Sequence, residues 1–432
     1  MILMSLHAVD VFGINTDLKE GSYIDRANLD SKFNRYLIRN SHITIYGSSK
    51  CGKSWFRQKN LPDAIVVQCR YGMTVQDIYT NALASLGIKL VFEESKTSKI
   101  QGSIEATGEL GASIIAKLKV KAQSLFSQDS NTKSKPVGKD ISDLSHIAEI
   151  LIASEKRLII EDFHYIKESE RKSFAFDLKS LWDYRCYVVI VGVWSQSGYL
   201  TTLNPDLLSR INELSIVWSN EDLKAVIVKG CKALNIEISE EVSQHLIENS
   251  YGNVGILQKL LDNLLEIAEV YEYCVHKKVI NSLDDYLEAA NEYAESLRSY
   301  YEKFATVVSA GIRKRETATE IYAHALAVIL ESEDEMLNKG VSLDYIYRIS
   351  HERQTRIIKP NLESALKKIE ELQVDEDNRG LVLSYNENTK EVVVIDRQLL
   401  FYRKHKPADW PWQSMIDEIN ESRTSKFSKL ID

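Results

Sequence analysis

No stretch of this sequence approaches the roughly 20 consecutive apolar residues that a membrane-spanning helix needs, although 44% of its 432 residues are hydrophobic. No membrane-embedded part is therefore expected. Paired cysteines are also missing. Cys51, Cys69, Cys186, Cys231 and Cys274 are odd in number, widely spaced and never C-x-x-C. That spacing makes neither a zinc site nor a disulfide framework, and it suits a reducing cytoplasm. The opening MILMSLHAVDVFGI has no basic n-region and no small-residue cleavage site, so a secretory leader is not expected either. Nor is there an excess of positive charge. A formal net charge of −8 argues against a general nucleic-acid coat protein but leaves room for a local basic surface. No Ser-His-Asp set, metal-ligand cluster or internal repeat stands out. What remains is a chain long enough for two to three domains with ample core.

The most informative stretch is residues 42–57, HITIYGSSKCGKSWFR. His42 to Tyr46 alternates and carries β-branched residues, which predicts a short strand. Gly47 to Ser54 then fits G-x-x-x-x-G-K-[ST], the Walker A phosphate loop. Each fixed position has a chemical reason. Gly47 and Gly52 let backbone N–H groups of Ser48, Ser49, Lys50 and Cys51 curl toward phosphate oxygens. Lys53 neutralises the β- and γ-phosphates of ATP. The Ser54 hydroxyl helps to coordinate Mg²⁺, which keeps several waters. A helix starting near Ser54 aims its positive end at the same phosphates. Cys51 fills space in the loop.

Further along, residues 20–40 predict an amphipathic helix. Ala64 to Cys69 is a buried-strand candidate, and Thr74 to Leu86 has helical spacing. Residues 93–140 read as a Ser-, Lys- and Gly-rich insertion. Within it, Ala116 to Ala122 alternates apolar residues with Lys117, Lys119 and Lys121. This predicts a strand hairpinned with Ile100 to Leu110, and residues 128–140 a loop. The insertion reads either as solvated surface or as a contact for DNA or a neighbouring subunit. A helix to about Ala153, the apolar runs Arg157 to Glu161 and Tyr187 to Val193, a helix over Lys172 to Tyr184, and a last run over Leu214 to Trp218 complete the first region. Strands alternating with helices predict an α/β fold, a parallel sheet covered on both faces, over residues 1–218.

Residues 219–305 show only helical periodicity and predict an all-α lid, starting at Ser219-Asn220-Glu221-Asp222 and broken at Tyr251-Gly252-Asn253. A long helix over 281–305 is capped by Asn281 or Ser282. Residues 306–406 carry three helices, Thr319 to Leu330, Ser342 to Ile349 and Lys359 to Leu372. The strands Leu381 to Tyr385 and Glu391 to Ile395 follow, a winged helix-turn-helix pattern. Residues 407–432 read as a peripheral tail.

Phosphoryl transfer needs an acid beside the metal and a group to position water. Glu161 and Asp162, where an apolar strand emerges, form a Walker B site with its acids in Glu-Asp order. By position Glu161 sits by Mg²⁺, with Ser54, and Asp162 orients water, although either side chain can reach either role. Ser195 and Gln196 follow the next strand, where a polar group can touch the γ-phosphate or the lytic water. Arg210, in LLSRI, can pair with a carboxylate of its own subunit or reach a neighbour's γ-phosphate in a homo-oligomer. His164 reads as packing beside the site.

This ordering resembles the AAA+ superfamily, in particular the branch of STAND-type and origin-recognition ATPases. The likeness runs over about residues 20–405 and is specific at the two Walker motifs. It implies a P-loop core, a lid and a C-terminal winged helix. Tyr23-Ile24-Asp25-Arg26 is similar to the segment that packs near adenine in those families, which implicates Tyr23 and Arg26. Val189 to Ser195 aligns with their sensor-1 strand, placing Ser195 at the sensor. Arg210 falls where they carry an arginine finger. One departure stands out: their Gly-Asp-x-Arg lid motif is here Gly252-Asn253-Val254-Gly255, without the sensor-2 arginine. The loss favours a slow switch over a fast motor. The expected function is thus an ATP-binding, slowly hydrolysing switch whose winged helix contacts a protein partner or the core. The alternative is an origin-recognition-like ATPase that puts the winged helix on duplex DNA. His351, Arg353, Arg356, Lys359, Lys367 and Lys368 favour DNA, while Glu363, Glu370 and Glu371 oppose it.

Overall fold

The computed structural model describes residues 6–93, 101–126, 143–194, 196–311, 320–373 and 380–405, with Trp410 and Trp412. Two compact units divide the chain. One is formed by Arg26–Tyr46 and Lys53–Ile216, the other by Met1–Asp25, Gly47–Gly52 and Val217–Asp432.

The first unit holds α1 (Ala27–Ile38), β1 (His42–Tyr46), α2 (Lys53–Asn60), β2 (Ala64–Gln68), α3 (Val75–Ser85), β3 (Ile88–Glu93), β4 (Gln101–Ala106), α4 (Gly108–Phe126), α5 (Leu144–Ala153), β5 (Arg157–Glu161), α6 (Glu168–Asp183), β6 (Val188–Gly192), α7 (Tyr199–Leu203) and β7 (Ile211–Ser215). Five strands make a parallel sheet in the order β2-β5-β6-β1-β7. Its three inner strands are buried almost throughout, whereas the edge strand β2 alternates. This is why β5 and β6 read as apolar runs: helices cover both faces. β1 is as deeply buried although it alternates, with His42 and Thr44 inside. β1 opens on a buried histidine. The Nε2–H of His42 donates to the Leu178 carbonyl (2.8 Å), and its Nδ1 accepts from the Val188 N–H (3.0 Å). Burial pulls its pKa down to about 4, so the ring is neutral and ties β1 to β6 and α6.

One reading of the insertion is corrected. Residues 116–122 are not a strand; they lie in α4, and the hairpin is β3 with β4. Ala, Lys and Leu are strong helix formers. Their alternation also satisfies helical spacing, with Ile114 buried and Leu118 packed against the same core. Lys117 pairs with Glu155 at 2.8 Å. The loop expected at 128–140 lies outside the described residues.

The second unit holds α8 (Asn220–Leu234), β8 (Ile236–Ile238), α9 (Glu240–Glu248), α10 (Val254–Ile267), β9 (Lys278–Ile280), α11 (Leu283–Ala310), α12 (Ile321–Glu331), α13 (Asp334–Lys339), β10 (Val341–Ser342), α14 (Leu343–Arg353), α15 (Lys359–Leu366), β11 (Leu383–Asn386), β12 (Glu391–Val394) and α16 (Gln398–His405). Ser219 and Asp222 close a capping box on α8, and Ser282 caps α11. Residues 219–305, expected to be all-α, are not purely helical, because β8 and β9 pair in parallel. Three-residue strands are too short to leave a period in the sequence. α11 runs unbroken through residue 305 and feeds two apolar clusters, one around Tyr286 and one around Tyr301. After α12, α14 and α15, an antiparallel sheet forms in the order β10-β12-β11. The tail is less peripheral than expected at its start: Trp412 is buried and stacks on Trp410 at 4.8 Å. Residues 413–432 lie outside the described residues. Among the described residues no helix is long and apolar enough to cross a membrane.

Candidate functional site

In the first unit, Lys53 and Ser54 open α2 and Glu161 ends β5. The sheet order inserts β6 between β1 and β5. The Glu161 carboxylate is fully engaged. Its Oε2 accepts from the Ser54 hydroxyl at 3.1 Å. Its Oε1 accepts from Arg57 Nε at 2.7 Å and Nη2 at 2.6 Å. Because the Ser54 proton points at Glu161, the hydroxyl lone pairs are left to face a cation. Serine and carboxylate oxygens are hard donors that suit Mg²⁺ completed by water. Among the described residues no group of three or more His, Cys, Asp or Glu side chains is arranged to hold a metal.

The next residue, Asp162, has left-handed backbone (φ 54, ψ 36), a conformation that aspartate tolerates better than most residues. Gln68, paired in register with Glu161 across β2 and β5, donates its Nε2–H to Asp162 Oδ2. Burial raises the Asp162 pKa. The Lys53 charge opposes the rise, Glu161 adds to it, and the Gln68 hydrogen bond lowers it. His164 is buried, and its Nδ1 makes no hydrogen bond among the described residues. Burial, then the charges of Lys53 and Arg171, holds its pKa down to about 3. A neutral ring wedged beside two cations fits packing rather than proton transfer.

The loop Gly47–Gly52 makes its contacts in the second unit. The Ser49 N–H donates to the Ile395 carbonyl (3.3 Å), and Lys50 Nζ donates to Gln398 Oε1 (2.8 Å). Asn253 caps α10 and donates its Nδ2–H to the Ser49 carbonyl (2.7 Å) and to Ser48 Oγ (3.3 Å). The Gly255 N–H reaches the Lys50 carbonyl at 3.1 Å. Trp218 Nε1 donates to the carbonyl of the buried Cys51 (2.8 Å). Gln398 is itself held. Tyr293 donates its O–H to Oε1 (2.7 Å), and Gln398 Nε2 donates to Asp396, which also accepts from Tyr301 (3.0 Å). Gly255 stands where the resemblance implied an arginine. A Cβ there would come within 2.6 Å of the Lys50 Cβ and carbonyl oxygen, so no side chain fits at that position.

The other sequence candidates are more scattered. The Tyr23 carbonyl accepts from Lys229 Nζ. Arg26 is the N-cap residue of α1, with its carbonyl bonded to the Leu29 and Asp30 amides. Ser195 lies outside the described residues. Just after it, Glu213 fastens the turn by accepting from Ser197 Oγ and the Gly198 N–H. The Arg210 guanidinium lies over the Trp182 ring at 4.9 Å and donates to the Asp206 carbonyl. Among the described residues it makes no ion pair with a carboxylate, so the brace to its own subunit is an aromatic face and a carbonyl. Arg210→Ala is expected to lower the melting temperature, while ATPase activity per subunit stays flat with protein concentration. Activity that rises with concentration and vanishes in the variant would instead make Arg210 a neighbour's finger.

Sequence reasoning missed Arg57, Gln68 and Gln398. Arg57 carried a signal, being one helical turn past Ser54 in the motif. Gln398, 348 positions from Lys50, carried none.

No family model matches the sequence. Solved structures do. The chain is similar to the Walker-type ATPase of Pyrococcus abyssi at 14% identity, over 91% of this chain and 99% of that one, with a TM-score of 0.50. It is also similar to the Orc1 protein of Aeropyrum pernix, solved in complex with DNA, at 13% identity over 89% and 92% (TM-score 0.39). Cdc6p from Pyrobaculum aerophilum matches at 12% identity over 94% and 99% (TM-score 0.35). At these identities the likeness concerns the fold. The fold is an α/β P-loop NTPase core of the AAA+ type, as expected from the two Walker segments.

Proposed function

We propose that this chain binds ATP and hydrolyses it slowly, as a STAND-like AAA+ switch. The observation that carries the reading is the hydrogen bond between Ser54 and Glu161, which joins the serine of the phosphate-loop motif to the acid ending β5. In this reading the amides of Ser48 to Gly52 and the Lys53 ammonium hold the phosphates. Ser54 and Glu161 would hold Mg²⁺, and Asp162 would orient the attacking water. The metal supplies charge neutralisation on the transferring phosphoryl group. Ser195 serves as the sensor, and Tyr23 and Arg26 lie along the adenine. Calorimetric titration with Mg·ATP and Mg·ADP, with phosphate release measured in parallel, tests the assignment. Absence of binding to the folded protein would refute it.

The switch part of the reading is supported by the grip on the loop. The Ser49 amide and the Lys50 ammonium, two donors suited to phosphate, are given to Ile395 and Gln398 beside the C-terminal hairpin. Nucleotide must compete for them, so its binding is coupled to the position of the C-terminal helices and hairpin, read as a winged helix. Releasing the grip with Gln398→Ala should tighten ATP binding by about tenfold, roughly one charge-assisted hydrogen bond. Unchanged affinity in a folded variant would remove the coupling.

The same region favours a protein contact over duplex DNA. Lys359 pairs with Asp344, Lys367 with Glu387, Lys390 with Glu363 and Arg353 with Glu331. Such exposed pairs are weak, yet these four basic groups are each matched by an acid, which lowers the net charge this surface offers to a phosphate backbone. Filter binding of duplex DNA at two salt concentrations decides the matter. Binding that weakens with salt and is lost on charge reversal of Arg353 and Lys359 would favour the DNA reading.

A further inference from the structure

We infer that Arg57 is a positioning residue that holds Glu161 against Ser54 and keeps divalent cations out of the site until nucleotide phosphates accompany them. The inference rests on the nucleotide reading above. Arg57 lies on α2 three residues after Ser54, so both project from one face of the helix. Its Nε and Nη2 converge on Glu161 Oε1 at 2.7 and 2.6 Å, and the side chains are only 10% and 6% exposed. The acid here is glutamate, with one more rotatable bond than the aspartate usual at this position. A free glutamate carboxylate would turn among several orientations. With Oε1 taken by the guanidinium, Oε2 is left to meet the Ser54 hydroxyl at 3.1 Å.

The same pair sets the charge that a metal ion meets. Glu161 already carries a buried cation partner, and Lys53 lies nearby in sequence. A free divalent ion arriving there is repelled by a guanidinium a few ångströms away, in surroundings of low dielectric. Asp162 brings a second carboxylate and Lys53 a second cation, so acids and bases are matched, and among the described residues no group of three or more His, Cys, Asp or Glu is arranged to hold a metal. Phosphate oxygens offset the repulsion, since they bring negative charge and further oxygen ligands. The cation is therefore admitted as the nucleotide complex and not ahead of it.

Mn²⁺ titration of the nucleotide-free, full-length protein, followed by the electron paramagnetic resonance signal of the free ion, tests this directly. Arg57→Met should bind Mn²⁺ at least about tenfold more tightly than the original protein. Adding Glu161→Gln to that variant should abolish the gain. Arg57→Lys keeps the charge but not the two-nitrogen grip. It should bind Mn²⁺ as weakly as the original protein, while kcat for Mg·ATP falls and KM changes little. Unaltered Mn²⁺ affinity in folded Arg57→Met protein overturns the inference. If that variant does not fold, an Arg57→Lys protein with unaltered kcat overturns it. Original protein that binds no Mg·ATP while the Mn²⁺ effect persists would sink the nucleotide reading and leave the Arg57–Glu161 charge pairing standing.

Discussion

Lys53→Ala protein is expected to lose ATP binding by about 100-fold or more, the loss of one or two hydrogen bonds between a charged donor and phosphate. Lys53 is only 7% exposed at the first position of α2. The side chain is thus largely withdrawn from solvent, and the helix N-terminus adds its own partial positive charge there. Neighbouring groups register this charge. It holds down the pKa of Asp162 against the effect of burial, and it contributes to the depressed pKa of His164. Removing it should therefore let the Asp162 pKa rise further, a local change that leaves β1 and β5 in place. Calorimetry with Mg·ATP, beside a thermal melt to show folding, is the measurement. Retained affinity in a folded variant would refute the phosphate-loop assignment.

The sequence was readable where structure is local or repetitive. β5 and β6 are covered on both faces and read as apolar runs, whereas β1 is equally buried but alternates, with His42 and Thr44 among its buried residues. The phosphate-loop motif follows one of them and the acidic pair ends another, which made the sheet legible together with the two motifs that the proposed chemistry uses. Caps such as Ser219 with Asp222 satisfy the first amides of a helix from within four residues, and they were legible for that reason. α4 was misread because its lysine alternation fits a period of two as well as a period of 3.6. β8 and β9 are too short to show any period. The missing lid arginine was visible as a departure. That Lys50 lies against Gly255 and leaves no room for a Cβ there was not visible, because it is a contact between segments some 200 positions apart, like the Asn253 bonds beside it, which span 204 and 205 positions. Long-range polar pairings such as Lys50 with Gln398, or Gln68 with Asp162, obey no spacing rule. They had no sequence signature to find.

Asp162→Asn should bind Mg·ATP as the original protein does but hydrolyse it about 100-fold more slowly, the usual scale for losing a positioned base. Gln68 occupies one carboxylate oxygen and leaves the other for a water. The raised pKa of Asp162 means that it takes up a proton at a higher pH than an ordinary aspartate. Hydrolysis should therefore fall on acidification earlier than the usual carboxylate range predicts. The sign for stability is the reverse of a salt-bridged acid. A folded-state pKa above the unfolded value means the folded protein binds the proton more tightly. The ionised group therefore costs stability above its folded pKa, and the cost disappears as pH falls toward the unfolded value. Asp162→Asn should accordingly melt higher than the original protein at neutral pH, with the gap closing in acid. Glu161→Gln should do the opposite. It strips the partner from a buried guanidinium, a change that costs about 3–5 kcal/mol when one member of a buried pair is removed, so its melting temperature should fall. The two acids, adjacent in the chain, are thus separable by opposite thermal shifts before any turnover is measured. If Asp162→Asn hydrolyses ATP normally while Glu161→Gln alone is inactive, the roles are exchanged, and Glu161 rather than Asp162 positions the water.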